Sequence, residues 1–141
     1  MDTEKAEELL SILIENSARI LRAGFGVNYA ESTFFSVIDL LRKNNKLKNI
    51  FLDRVERALI EADPGLLNEG VLPQELIELV AHEMRWNEMK VIAEKRVQSF
   101  FRGDWSFAIS DISQKIIDAQ SENWPDQEFY LFYQHGRNNR G

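Results

Sequence analysis

Apolar residues recur along most of this chain every three to four positions, the spacing that lines one side of a helix. From Thr3 to Arg22, Ala6, Leu9, Leu10, Leu13, Ser17, Ile20 and Leu21 form one stripe, with Glu4, Glu8, Glu15 and Arg19 opposite. Gly24 is placed to stop that helix. A second helix is predicted over 32–43 with Ser32 as its cap. Its Phe34, Phe35, Val37, Ile38, Leu40 and Leu41 point almost all round the axis, which suits the centre of a fold. The third, over 46–62, buries Leu47, Phe51, Val55, Ala58, Leu59 and Ala62.

"DPGLLNEGVLP" reads as a loop, and Pro73 opens a fourth helix that runs to Arg85. Asn87 is positioned to cap a fifth over 88–102, with the stripe Met89, Ile92, Ala93, Val97, Phe100 and Phe101. Asp104 would cap a sixth, reaching 121, with the stripe Trp105, Ala108, Ile109, Ile112, Ile116 and Ala119. "WPDQEFYLFYQHG" predicts a short seventh helix with Trp124, Phe129 and Phe132 in the core; its aromatics would also suit an extended strand. Residues 137–141 read as a frayed tail behind a single domain over 1–136.

The expected fold is all-α: a bundle of six or seven roughly antiparallel helices joined by short loops. A short stack of helical hairpins, of the HEAT or armadillo kind, also fits, although no period near 40 residues is visible. The 141 residues suffice for a core without staples, and the absence of cysteine excludes disulfides and thiolate chemistry. No apolar run approaches the roughly 20 residues that span a bilayer. An acidic start, "MDTEKAEELL", is unlike a secretory signal, so a cytoplasmic protein is expected. The net charge of −6 argues against broad binding to nucleic acid or anionic membrane.

One helix face invites chemistry. With Gln74 at 0° on the fourth helix, Arg85 lies near about 20°, Glu78 near about 40°, His82 near about 80° and Glu75 near about 100°. Leu76, Ile77, Val80 and Met84 take the other side. A Glu/His metal site or an acid–base pair is one reading of this face. The spacing opposes it: Glu78 and His82 are four apart, where the di-iron bundle motif has three and a second copy. "HEMRW" puts Trp86 where HExxH needs its second histidine. The preferred reading is a water-facing ladder in which Glu78 reaches His82 and His82 neighbours Arg85. No metal and no cofactor is expected.

Glu83 and Arg96 interrupt apolar stripes, so they would pair across their two helices or escape at helix ends. "GFGV" at 24–27 reads as a turn and not a phosphate loop, and neither histidine sits in a nucleophile motif. Residues 42–57 carry a local +4 through Arg42, Lys43, Lys46, Lys48, Arg54 and Arg57, a candidate contact for a nucleic-acid backbone. Residues 58–84 hold six acids and no lysine or arginine, a face that would steer a basic protein. Phe107 and Ile50 fall on polar sides and Trp86 at the hairpin turn after the fourth helix, and all three are candidate contact points. The expected function is that of a non-enzymatic protein-interaction module, such as an acidic inhibitor, immunity-type or adaptor protein with a basic partner. Glu75, Glu78, His82, Arg85, Trp86 and Phe107 are its candidate contacts. A Glu/His enzyme and a nucleic-acid regulator are the alternatives. Oligomeric state is not legible.

Overall fold

A computed structural model describes residues 1–61 and 72–134. Within them the chain is all-α, with six α-helices: α1 Thr3–Arg22, α2 Val27–Lys43, α3 Leu47–Glu56, α4 Gln74–Met84, α5 Asn87–Phe101 and α6 Ile112–Ala119. A π-helical turn, Arg57–Glu61, extends α3, and 3-10 turns cover Trp105–Ala108 and Pro125–Phe129. The predicted loop after Asp63, the end of the third helix at Ala62, His135 and the 137–141 tail lie outside the described residues.

α1 packs along α2, and α2 in turn meets α4, so the helix that reads as apolar all round does sit between two others. α6 packs on both α4 and α5, while α3 bridges α1 to α5. The buried side chains form one continuous core; Leu10, Phe34, Phe51, Leu59, Leu76, Leu79 and Met89 are fully enclosed within it. α4 and α5 are separated only by Arg85 and Trp86 but do not pack as a hairpin. Arg85 ends α4 in the left-handed region, at φ 50°, and turns the chain away.

α1 keeps its expected ends, while other boundaries move for local reasons. α1 begins where Asp2 accepts a 2.8 Å hydrogen bond from the Lys5 N–H. α2 starts at Val27 behind Gly26, so Ser32 is interior and its carbonyl takes the Ser36 hydroxyl. The predicted sixth helix is two pieces. Asp104 caps the 3-10 turn through Ser106 N–H, and Asp111 caps α6 through Ser113 N–H, which breaks the helix between them. The break turns Ile109 out of the stripe and into solvent. Phe100 is also exposed, with the Arg96 guanidinium 4.9 Å from its ring centre.

The two charges that interrupt stripes do not pair with each other. Arg96 donates to both oxygens of Asp111 at 2.9 and 3.0 Å and to the Leu59 carbonyl at 2.8 Å. Burial alone would raise the Asp111 carboxyl, but the Arg96 and Ser113 hydrogen bonds outweigh it and hold it below the ordinary range. Glu83 meets Arg42 at 2.9 Å with one oxygen and the Tyr133 hydroxyl at 2.6 Å with the other. Each charge thus joins elements that are distant in the chain.

Candidate functional site

α4 carries Glu75, Glu78 and His82 at the angles that its period dictates, but that face is largely covered: Glu78 is buried, and Glu75 and His82 are partly buried. α6 and residues 124–134 pack across it. Glu78 is only 4% exposed. Its Oε1 accepts the Trp124 indole N–H at 2.7 Å, a bond between residues 46 apart in sequence. His82 stacks on Trp124 with ring centres 4.4 Å apart, and Tyr133 meets the imidazole edge-on at 5.3 Å. The His82 Nδ1 lies 2.8 Å from the Ala119 carbonyl oxygen at the end of α6. A carbonyl only accepts, so the proton belongs on Nδ1.

The water-facing ladder is therefore corrected. Among the described residues, no ion pair joins Glu78 to His82. Helical angle says which residues share a side and nothing about what covers it. Here the cover is amphipathic, made of rings that bury apolar faces and offer an N–H or O–H to α4. Glu75 participates through its backbone, whose carbonyl accepts the Tyr130 hydroxyl at 3.0 Å. Arg85 stays exposed at the corner, donating to the His82 carbonyl at 3.3 Å and the Gln120 carbonyl at 3.4 Å.

The partner that matters most to Glu78 carries no signal in the sequence. Asp126, two residues past Trp124, lies on the same side of the strap as the Glu78 carboxyl. Both acids line an open cleft of about 290 Å³, shared with Lys115, Asp118, Trp124 and Ile109. Burial, then the neighbouring Asp126, push Glu78 from its ordinary 4.5 up to about 8 against the opposing pull of Trp124 and Lys115. The phenols of Tyr130 and Tyr133 are pushed up as well, first by burial and then by the neighbouring Glu78 and Glu83.

A folded-state pKa above the unfolded one means that the fold favours protonated Glu78. That stability is complete below about pH 4.5 and is lost as pH rises toward about 8. Denaturant titrations are expected to show unfolding free energy falling across this window by up to roughly 1 kcal/mol per pH unit. Glu78→Gln is expected to flatten the slope; an unchanged slope in that variant would show that other groups set it.

The remaining expected contacts scatter. Arg42 pairs with Glu83, Lys43 with Asp39, Lys48 with Glu88, Arg54 with Glu7 and Arg57 with Asp53. Lys46 alone of the six has no such pair among the described residues, so the +4 cluster is largely neutralised in place. Trp86 is half-buried against Phe51, with Lys48 Nζ 5.5 Å from its ring centre, and Ile50 packs on the core. Phe107 is open to solvent at 73% exposure. Among the described residues no group of three histidine or acidic side chains is placed to hold a metal ion, and no helix is long and apolar enough to cross a membrane.

The last segment departs from expectation in a way that matters for binding. Pro125–Phe129 is a 3-10 turn, Tyr130 is extended, and a helical turn begins at residue 131. Trp124 is buried as expected, and Tyr130 is buried with it, but Phe129 and Phe132, also expected in the core, are 65% and 56% exposed. The extended Tyr130 between two helical turns divides the aromatics, sending some to α4 and the rest outward. Phe132 lies on the half-buried ring of Phe35 in α2, 4.7 Å between centres. Comparison with protein-family models, curated proteins and solved structures gives no match for the chain.

Proposed function

We propose that this chain is a helical protein-interaction module that binds a basic partner through its C-terminal strap, residues 124–134. The observation that carries the reading is the outward display of Phe129, Leu131 and Phe132, the last of them lying on the ring of Phe35. Grouped exposed aromatics are what binding surfaces use as anchors. The charge around them selects the partner's chemistry. Asp118, Glu122, Asp126 and Glu128 lie in a stretch, 116–136, that holds no lysine or arginine. A basic surface with an apolar anchor point complements that combination, as an acidic inhibitor or adaptor would require. On this reading the contact set shifts from Glu75, Glu78 and His82, which the strap covers, to the strap itself.

Phe129→Ser with Phe132→Ser tests it. The double variant is expected to keep its helical circular dichroism, because both rings are largely in solvent, and to lose the partner captured by the unaltered chain from native cells. Capture by the unaltered chain is expected to weaken as salt rises. Retention of the same partner by the double variant would remove the strap from the interface.

A further inference from the structure

The break before α6 turns Ile109 outward at 70% exposure, and neither the core nor the strap's phenylalanines make use of it. Ile109 edges the open cleft between α6 and the strap, where Pro125 and Trp124 add further apolar lining. The charged lining is one-sided: Glu78, Asp118 and Asp126 stand against the single ammonium of Lys115. Among the described residues Lys115 forms no ion pair with any of the three, and Asp118 accepts the Gln114 amide at 3.0 Å.

Glu78 marks this cleft as a site. It is 96% buried and still reaches the cleft lining. Among the described residues one side-chain donor serves its carboxyl, the Trp124 indole on Oε1, and no cation lies within ion-pair distance. A carboxylate offers about four acceptor positions, and a buried one without a counter-ion is costly. The direction left open to it is the cleft. What suits such a wall is a cation brought from outside on a stem that tolerates an apolar rim. Lysine and arginine side chains have that build, a charged head on an aliphatic stem. A bare metal ion suits it less, because among the described residues no three histidine or acidic side chains are placed to hold one.

We propose that the cleft takes a lysine or arginine side chain of the basic partner, its head against Glu78 and Asp126 and its stem along Ile109. This contact presupposes that the chain binds a basic protein, and it lies beside the contact made by the strap's phenylalanines. Glu78 returns to the contact set through its cleft side. Low exposure there leaves little water to weaken the attraction between head and carboxylates. Lys115 competes for the same carboxylates. Glu78 itself holds a proton near neutral pH, which passes to solvent as the cation enters. Around it stand Glu75 and His82 from α4, Lys115 and Asp118 from α6, and Asp126 and the Tyr130 phenol from the strap. Binding therefore tightens as pH rises toward about 8.

The probes are Nα-acetyl-lysine amide and Nα-acetyl-arginine amide, with the uncharged norleucine amide as control. Each is titrated into the protein at about pH 8 and followed through the indole N–H signal of Trp124 by nuclear magnetic resonance, assigned with Trp124→Phe. A charged amide is expected to shift that signal saturably, and norleucine amide to leave it in place. Glu78→Gln keeps an acceptor for Trp124 and is expected to weaken binding about tenfold or more. Asp126→Asn, at a half-buried position, is expected to weaken it too and serves if the first variant folds poorly. Lys115→Met is expected to tighten binding. The absence of a saturable shift with either charged amide would overturn the proposal. So would an equal response to norleucine amide, or binding unchanged in both carboxamide variants. The amides need no partner protein, so such a result removes the cleft and leaves the strap reading standing. Phe129→Ser with Phe132→Ser, which tests the strap, is expected to leave amide binding as it is.

Discussion

Trp124→Ala is expected to lower the unfolding free energy by about 3–5 kcal/mol, the range for truncating a large buried aromatic. The indole is 4% exposed and in ring contact with His82, Tyr130 and Tyr133. Its removal empties the space between α4 and the strap and leaves Glu78 Oε1 without its donor. Trp124→Phe separates the two contributions. It keeps most of the ring and loses the N–H, and the orphaned acceptor costs about 1–3 kcal/mol. Both are measured by denaturant unfolding near about pH 6, where Glu78 holds its proton. If Trp124→Ala changes stability by less than about 1 kcal/mol, the strap does not belong to the cooperative core.

Arg96→Ala is expected to cost about 3 kcal/mol, the low end for breaking a buried ion pair by removing one partner. Side-chain exposures of 13% for Arg96 and 14% for Asp111 leave little water to replace the lost guanidinium. The carboxylate would keep its bond to Ser113 N–H, and the Leu59 carbonyl in the π turn would lose its donor. Arg96→Met with Asp111→Asn removes both charges, and the asparagine still caps α6. That pair is expected to recover most of the loss, and a double-mutant cycle measures the coupling. By contrast, the exposed pairs Lys43–Asp39 and Arg57–Asp53 are expected to contribute about 0.5 kcal/mol or less each. An Arg96→Ala cost as small as theirs would mean that solvent reaches the Arg96–Asp111 pair.

Much of the fold is legible because helical periodicity is local. The extent of α1, Thr3–Arg22, and its buried Ala6, Leu10 and Ser17 are legible, though Ile14 and Ala18 are buried too, and so are the buried Met89, Ile92, Ala93 and Val97 of α5. Where two local rules compete, periodicity loses. Ile109 fits the stripe of one long sixth helix by angle, yet Asp111 is drawn into capping Ser113 and binding Arg96, and the helix restarts there. The composition of "EFYLFY" shows that aromatics cluster, but which of them face inward depends on the extended backbone at Tyr130.

The candidate site was half legible. Glu78 and His82 stand out on α4, while Asp126 and Lys115 do not, because nothing near them in sequence refers to α4. The chain alone determined that Glu75, Glu78 and His82 lie along one side of a helix, since backbone dihedrals set that angle residue by residue. Only the tertiary structure decided that this side faces tryptophan and tyrosine, that Glu78 shares a cleft with a second acid, and that Arg96 and Glu83 find partners on other elements. Those outcomes depend on which distant segment lands opposite. That choice is made by the packing of the whole core, which no local pattern encodes.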